Sequence, residues 1–196
     1  MVLGKSSQSL TLRRIGSNLL LGFLILWSSA ALVGQDRADD DRDYSAGMEA
    51  GGKWTEYQAQ DRMTGAKRVR FQLPAEHAEQ SDDRATIVLF CTDGKLNLAD
   101  FRPNLKLSRP NWPAFWGQPQ MHVLVRVDDS HSTHSWNWVN GHFLAMDKGT
   151  TRELIGAHLF RVEFQTPQGP EIAEFSPAGL ELSRVQAGCG LKPKKP

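Results

Sequence analysis

Residues 121–127 read Met121-His122-Val123-Leu124-Val125-Arg126-Val127, with an apolar side chain at every odd position and His122 and Arg126 between them. Successive strand residues point to opposite faces, so this alternation predicts a strand with one face in a core and the other in water. The same period recurs where Val69, Phe71 and Leu73 alternate with Arg68, Arg70 and Gln72, and where Phe160, Val162 and Phe164 alternate with Arg161 and Glu163. Thr86-Ile87-Val88-Leu89-Phe90-Cys91 is apolar at both parities and β-branched at its first three positions, as expected of a central strand covered on both sides. Shorter runs at Trp54–Gln60, Lys95–Leu98, Asn104–Leu107, Trp136–Val139, His142–Met146 and Glu171–Phe175 extend the series to between eight and ten strands. Thr92-Asp93-Gly94, Asn140-Gly141 and Pro167-Gln168-Gly169-Pro170 punctuate it with turn residues, and Asn140-Gly141 suits a tight hairpin because both residues tolerate positive φ. The fold class predicted is all-β, an antiparallel β-sandwich. Helix is confined to Thr151–Ala157 and to a closing helix over Ala178–Ala187, with Ser176 as N-cap, Pro177 at the first helical position and Gly188 past the end.

The segments outside these strands set the domain organisation. Residues 1–34 carry Lys5, Arg13 and Arg14 and no acid, then the apolar run Leu19–Trp27, then Ser28-Ser29-Ala30-Ala31. This is the layout of a secretory signal peptide, with cleavage expected after Ala31 or Gly34. The competing reading is a retained anchor over Ile15–Val33, which Gly16, Ser17, Asn18, Ser28 and Ser29 interrupt. Arg13-Arg14 also suggests twin-arginine export, but Leu12 stands where that motif has Ser or Thr. Removing the segment leaves 20 basic and 22 acidic residues, a net charge near −2, so charge announces no nucleic-acid partner. Residues 35–52, rich in Asp36, Asp39, Asp40, Asp41 and Asp43 and poor in apolar groups, read as a flexible linker, since they lack the Gly and Glu spacing of an EF-hand. Residues 53–190 then form one domain, and 191–196 a polar tail.

The two cysteines, Cys91 and Cys189, are expected to pair in an exported chain. A reactive thiol is the alternative, but Cys91 ends an apolar run where a thiolate would be poorly solvated.

Three chemistries compete for the remaining residues. Asp128-Asp129-Ser130-His131-Ser132-Thr133-His134 reads as a loop after a strand and concentrates imidazoles and carboxylates. His131 and His134, with Asp128 or Asp129 and a third ligand from His122 or His142, are candidate ligands of a hydrolytic zinc; the reading adopted is an ordinary solvated loop, and no metal is assigned. No helical His-Glu-x-x-His motif accompanies them. Nucleophilic catalysis has no Gly-x-Ser-x-Gly elbow and no phosphate loop behind it, so no catalytic residue and no cofactor is assigned. Trp112, Trp116, Trp136 and Trp138 are candidates for a stacking platform for a sugar ring, or else padding for the sandwich core.

The order of features resembles the VasI-like periplasmic accessory proteins of type VI secretion. The resemblance rests on Trp54 leading the first strand with Asp61 soon after, a strand ending in Cys91, and Arg126-x-Asp128 before a Trp-bearing strand. It closes with Ala173-Glu174-Phe175-Ser176-Pro177-Ala178-Gly179-Leu180 running to Cys189, and covers about residues 54–190. The Trp112–Gln120 insert and the His131/His134 segment depart from that pattern. What the resemblance implies is an exported, periplasmic or secreted, non-enzymatic binding or assembly protein with a cell-envelope protein as partner.

Overall fold

The computed structural model describes residues 44–76, 85–110 and 117–193. The signal segment, Trp112 and Trp116 lie outside the described residues. The elements run β1 (Met48–Glu49), β2 (Thr55–Gln60), β3 (Lys67–Pro74), β4 (Thr86–Thr92), β5 (Lys95–Arg102), β6 (Gln120–Val127), β7 (Ser130–Val139) and β8 (Phe143–Ala145). They continue with α1 (Lys148–Leu154), β9 (Phe160–Thr166), β10 (Gly169–Phe175) and α2 (Leu182–Cys189).

All ten strands pair antiparallel in the order β1-β2-β3-β4-β5-β8-β7-β6-β9-β10. The two leaves of the sandwich are therefore halves of one ladder, joined where β5 meets β8 through only Asp100 opposite Ala145 and Phe101 opposite Leu144. Their inner faces close on each other: the Phe101 ring centroid on β5 lies 5.1 Å from that of Phe164 on β9 and 6.2 Å from that of Phe175 on β10. The predicted alternations supply this core, since Phe71, Leu73, Met121, Val125, Phe160 and Val162 are all fully enclosed. β4 is interior, between β3 and β5. Its outward Val88 is buried as well, on a face where the Arg70 guanidinium sits 4.4 Å from the Tyr57 ring centroid and that of Arg102 sits 5.2 Å from Phe90.

The turns follow residue chemistry. Asp93 and Gly94 both take positive φ (49° and 74°), as do Asn140 and Gly141 (51° and 72°), the conformation a tight antiparallel turn demands. Asn104–Leu107 forms no strand. Pro103 precedes it, Asn104 turns to φ 55°, and Leu107 and Ser108 donate their N–H groups to Gly141 O and Gln165 O. This segment thus bridges two hairpins of the second leaf.

Both ends of the domain extend beyond the expected limits. Residues 44–52, read as linker, enter the fold: β1 pairs with β2, and Ala50 is buried. Leu191 is buried too, so the tail begins after it. The closing helix starts at Leu182 rather than Ala178, because Gly179 adopts φ 91° and packs backbone to backbone on Gly51 and Gly52. Gly188, expected past the helix end, lies inside it, where a Cβ would come within 3.3 Å of Phe71 and Val69. The left-handed cap is Gly190. Trp54 locks this junction, donating its indole N–H to Pro177 O at 2.9 Å from a buried position. The first predicted helix is displaced three residues toward the N-terminus, since Asp147 caps it by accepting from the Thr150 N–H.

Candidate functional site

The Asp128–His134 segment is not a loop. β6 and β7 form a hairpin through Asp128-Asp129, with Val127 opposite Ser130, Arg126 opposite His131 and Val123 opposite His134. Ser, Thr and His fill both parities of the first half of β7, so hydrophobic alternation had no signal there. The pleat sends His131 to the outer face with Arg126 and His134 to the inner face with Val123 and Trp136. The two imidazoles point to opposite sides of the sheet and cannot bind one ion. Asp128 is committed elsewhere, accepting from the backbone N–H groups of His158 and Leu159 through Oδ1. Asp129 projects into solvent, its nearest cationic atom being Arg126 Nη2 at 3.9 Å. His122 pairs with Ser135 on the outer face, and His142 lies in the β7–β8 turn, its N–H donating to Val139 O. The candidate zinc ligands are thus dispersed, and among the described residues no three His, Cys, Asp or Glu side chains converge on a metal position.

His134 instead joins a relay that the sequence concealed. The Thr150 hydroxyl donates to Asp147 Oδ2 at 2.6 Å, so its oxygen is left to accept from His134 Nδ1 at 3.0 Å. Nε2 shares a hydrogen bond with the Ser132 hydroxyl at 2.7 Å, and Asp147 Oδ2 lies 3.3 Å from Nδ1. Partial burial would raise the Asp147 carboxyl. The Thr150 hydroxyl and N–H together with the His134 imidazole outweigh it and hold the group below its ordinary value. Hydroxyl, imidazole and carboxylate stand in the order of a nucleophilic relay. Acyl transfer also requires a concave seat for the carbonyl and donors aimed at the developing oxyanion. Ser132 stands exposed on an open strand and lines neither concave surface described below. The relay fastens the cap of α1 to β7. Asp147 and Thr150 escaped the sequence reading because they lie 13 or more residues from His134, on another element.

The outer face of the second leaf is assembled row by row from register. Leu124, Glu163 and Ile172 lie side by side across β6, β9 and β10, with His131, Arg126, Arg161 and Glu174 in the next row. Leu124 and Ile172 are 40% and 65% exposed. Arg161 Nε donates to Glu174 Oε2 at 2.6 Å, and Arg126 Nε donates to Asp128 O at 2.8 Å. Together they leave a shallow concavity with apolar ends and a charged border.

The tryptophans do not form one platform. Trp136 is wholly buried against Phe101, with ring centroids 6.1 Å apart, and serves as core. Trp138, two residues on, is half-buried and lines a cleft of about 690 Å³ between the 104–109 segment and the β7–β8 turn. Asn104, Lys106, Arg109, Asn140 and His142 line it too. The sequence singles out Trp138 but not these partners, because the contact between 104–109 and the turn is made by the long-range Leu107 N–H to Gly141 O bond.

Cys91 on β4 and Cys189 at the end of α2 form the expected disulfide, with Cα atoms 5.1 Å apart and both residues buried. Among the described residues no helix is long and apolar enough to cross a membrane. No family model matches the chain, and no curated protein or solved structure is significantly similar to it.

Proposed function

We propose that this chain is an exported, non-enzymatic binding and assembly protein of the cell envelope, which docks a protein partner on the outer face of its second leaf. The observation that carries the reading is the row Leu124–Glu163–Ile172, whose exposed aliphatic ends are bordered by Arg126, His131 and Arg161. Exposed aliphatic side chains interleaved with charged ones offer a protein partner both apolar contact and ion pairs. The disulfide is compatible with an oxidising compartment such as the periplasm. The resemblance to VasI-like accessory proteins suggests secretion as the process served. The test places a photocrosslinking residue at position 172 in the chain expressed in its own cell, with position 63 as the control. Met63 is 94% exposed and lies far along the sheet order, on the turn after β2. A discrete envelope-protein adduct at 172 that Leu124→Asp abolishes is expected. No adduct at 172, or equal yield at 63, would overturn the docking face. Labelling of Ser132 by a fluorophosphonate would overturn the non-enzymatic reading.

A further inference from the structure

We propose that the Trp138 cleft is a second binding site, separate from the protein-docking face, and that it takes an acidic oligosaccharide, a short run of sugar rings bearing carboxylates. None of its residues belongs to the Leu124–Ile172 face, so the two proposals stand or fall independently.

The geometry begins with the ring. The Trp138 indole N–H donates to Ser108 O at 3.0 Å, and the turn beneath it is glycine, where a Cβ at Gly141 would lie 3.3 Å from the ring's Cζ2. The ring is thus fixed before any ligand arrives, and it contributes apolar area without an ordering cost on binding. A flat, pre-oriented indole matches the C–H face of a pyranose.

The charge comes next. Lys106 and Arg109 both line the cleft and both are exposed, and among the described residues no carboxylate lines it. A concave surface with cations of one sign attracts anions and disfavours neutral or cationic ligands. A guanidinium offers paired donors suited to a carboxylate, and the ammonium adds a second point of attachment.

The remaining polar groups select among anions. Asn140 and His142 present groups that both donate and accept hydrogen bonds, the requirement for vicinal sugar hydroxyls. Asn104 and Asn140 hold left-handed backbone conformations (φ 55° and 51°), which fix where their side chains start. A peptide carboxylate would use the cations but has no row of hydroxyls for the amides. The volume, about 690 Å³, lies within the roughly 300–1,000 Å³ of sites that hold small ligands.

The experiment titrates the exported chain, disulfide intact, with an oligogalacturonate, a neutral oligogalactan of equal length and a short polyglutamate, reading Trp fluorescence and heat. Saturable binding of the oligogalacturonate alone, weakening as salt rises, is expected. Lys106→Ala and Arg109→Ala should each weaken it about tenfold, the usual scale for one charged hydrogen bond. Both side chains are exposed, so these variants should melt with the parent, and Trp138→Phe adds a test of the ring if it folds. Equal binding of the neutral oligosaccharide would overturn the role of charge. Equal binding of polyglutamate would make the site one for acidic peptide, and no saturable binding, or binding indifferent to both alanine variants, would overturn the site.

Discussion

Breaking the Cys91–Cys189 bond should cost this domain much of its stability, and the size of the loss follows from chain separation. The bond closes a loop of 98 residues, and chain statistics assign such a closure about 4 to 5 kcal/mol, gained by restricting the denatured chain. Single domains are stable by only about 5–15 kcal/mol, so the reduced protein should approach marginal stability. Reduction is the cleaner perturbation, because both buried side chains stay in place and no cavity opens. Urea unfolding followed by Trp fluorescence, with and without reductant, supplies the two free energies. The reduced form should also show a larger denaturant slope, since its unfolded chain exposes more surface. Its melting temperature should fall by about 10 to 20 °C for a domain of this size. A difference below about 1 kcal/mol, with unchanged slope, would refute the reasoning by showing that the denatured chain already keeps residues 91 and 189 together.

Gly179→Ala should destabilise by about 1–3 kcal/mol, since φ is 91° and the new Cβ would lie 2.9 Å from Gly52 Cα; Gly117→Ala, with none of the described residues within 4 Å of the new Cβ, should melt unchanged. Asp147 has a folded pKa below its unfolded value, so its contribution is complete above about pH 4 and is lost as pH falls through the lower folded value. Asp147→Asn should therefore narrow the stability difference between pH 6 and pH 3, and an identical pH profile for parent and variant would contradict the relay. Thr150→Val removes the hydroxyl that links His134 to Asp147 while keeping the shape, and should lower the melting temperature and speed amide exchange in α1.

The core strands were legible because their burial is one-sided or complete, and either condition writes itself into residue parity. β7 was half legible. Its Trp136–Val139 end packs in the core, whereas Ser130–Ser135 is polar at both parities, and only the register with β6 reveals it as strand. The candidate metal ligands part for the same reason, since histidines three positions apart along a strand lie on opposite faces, whereas in a loop they could converge. The relay and the cleft were invisible because each joins segments that local sequence cannot relate: Asp147 and Thr150 to His134, and Lys106 and Arg109 to Trp138. Ala178 to Glu181 misled by composition. Ser-Pro followed by small residues favours a helix start, but contact between Gly179 and Gly51–Gly52 required a left-handed turn instead.

That glycine junction also decides how the domain would respond to mechanical load. β1 is a two-residue edge strand, and on its own a pull on the chain entering it would unzip it one bond at a time. The chain turns at once into Gly51–Gly52, interlocked with Gly179, and then into Trp54, bonded to Pro177. Tension arriving from the N-terminal side is therefore handed to the segment leading into α2, and through Cys189 to the interior strand β4. A pull on that end would therefore have to break the glycine junction and the Trp54–Pro177 bond before β2 could peel, and residues 91 and 189 would stay joined by the covalent cross-link.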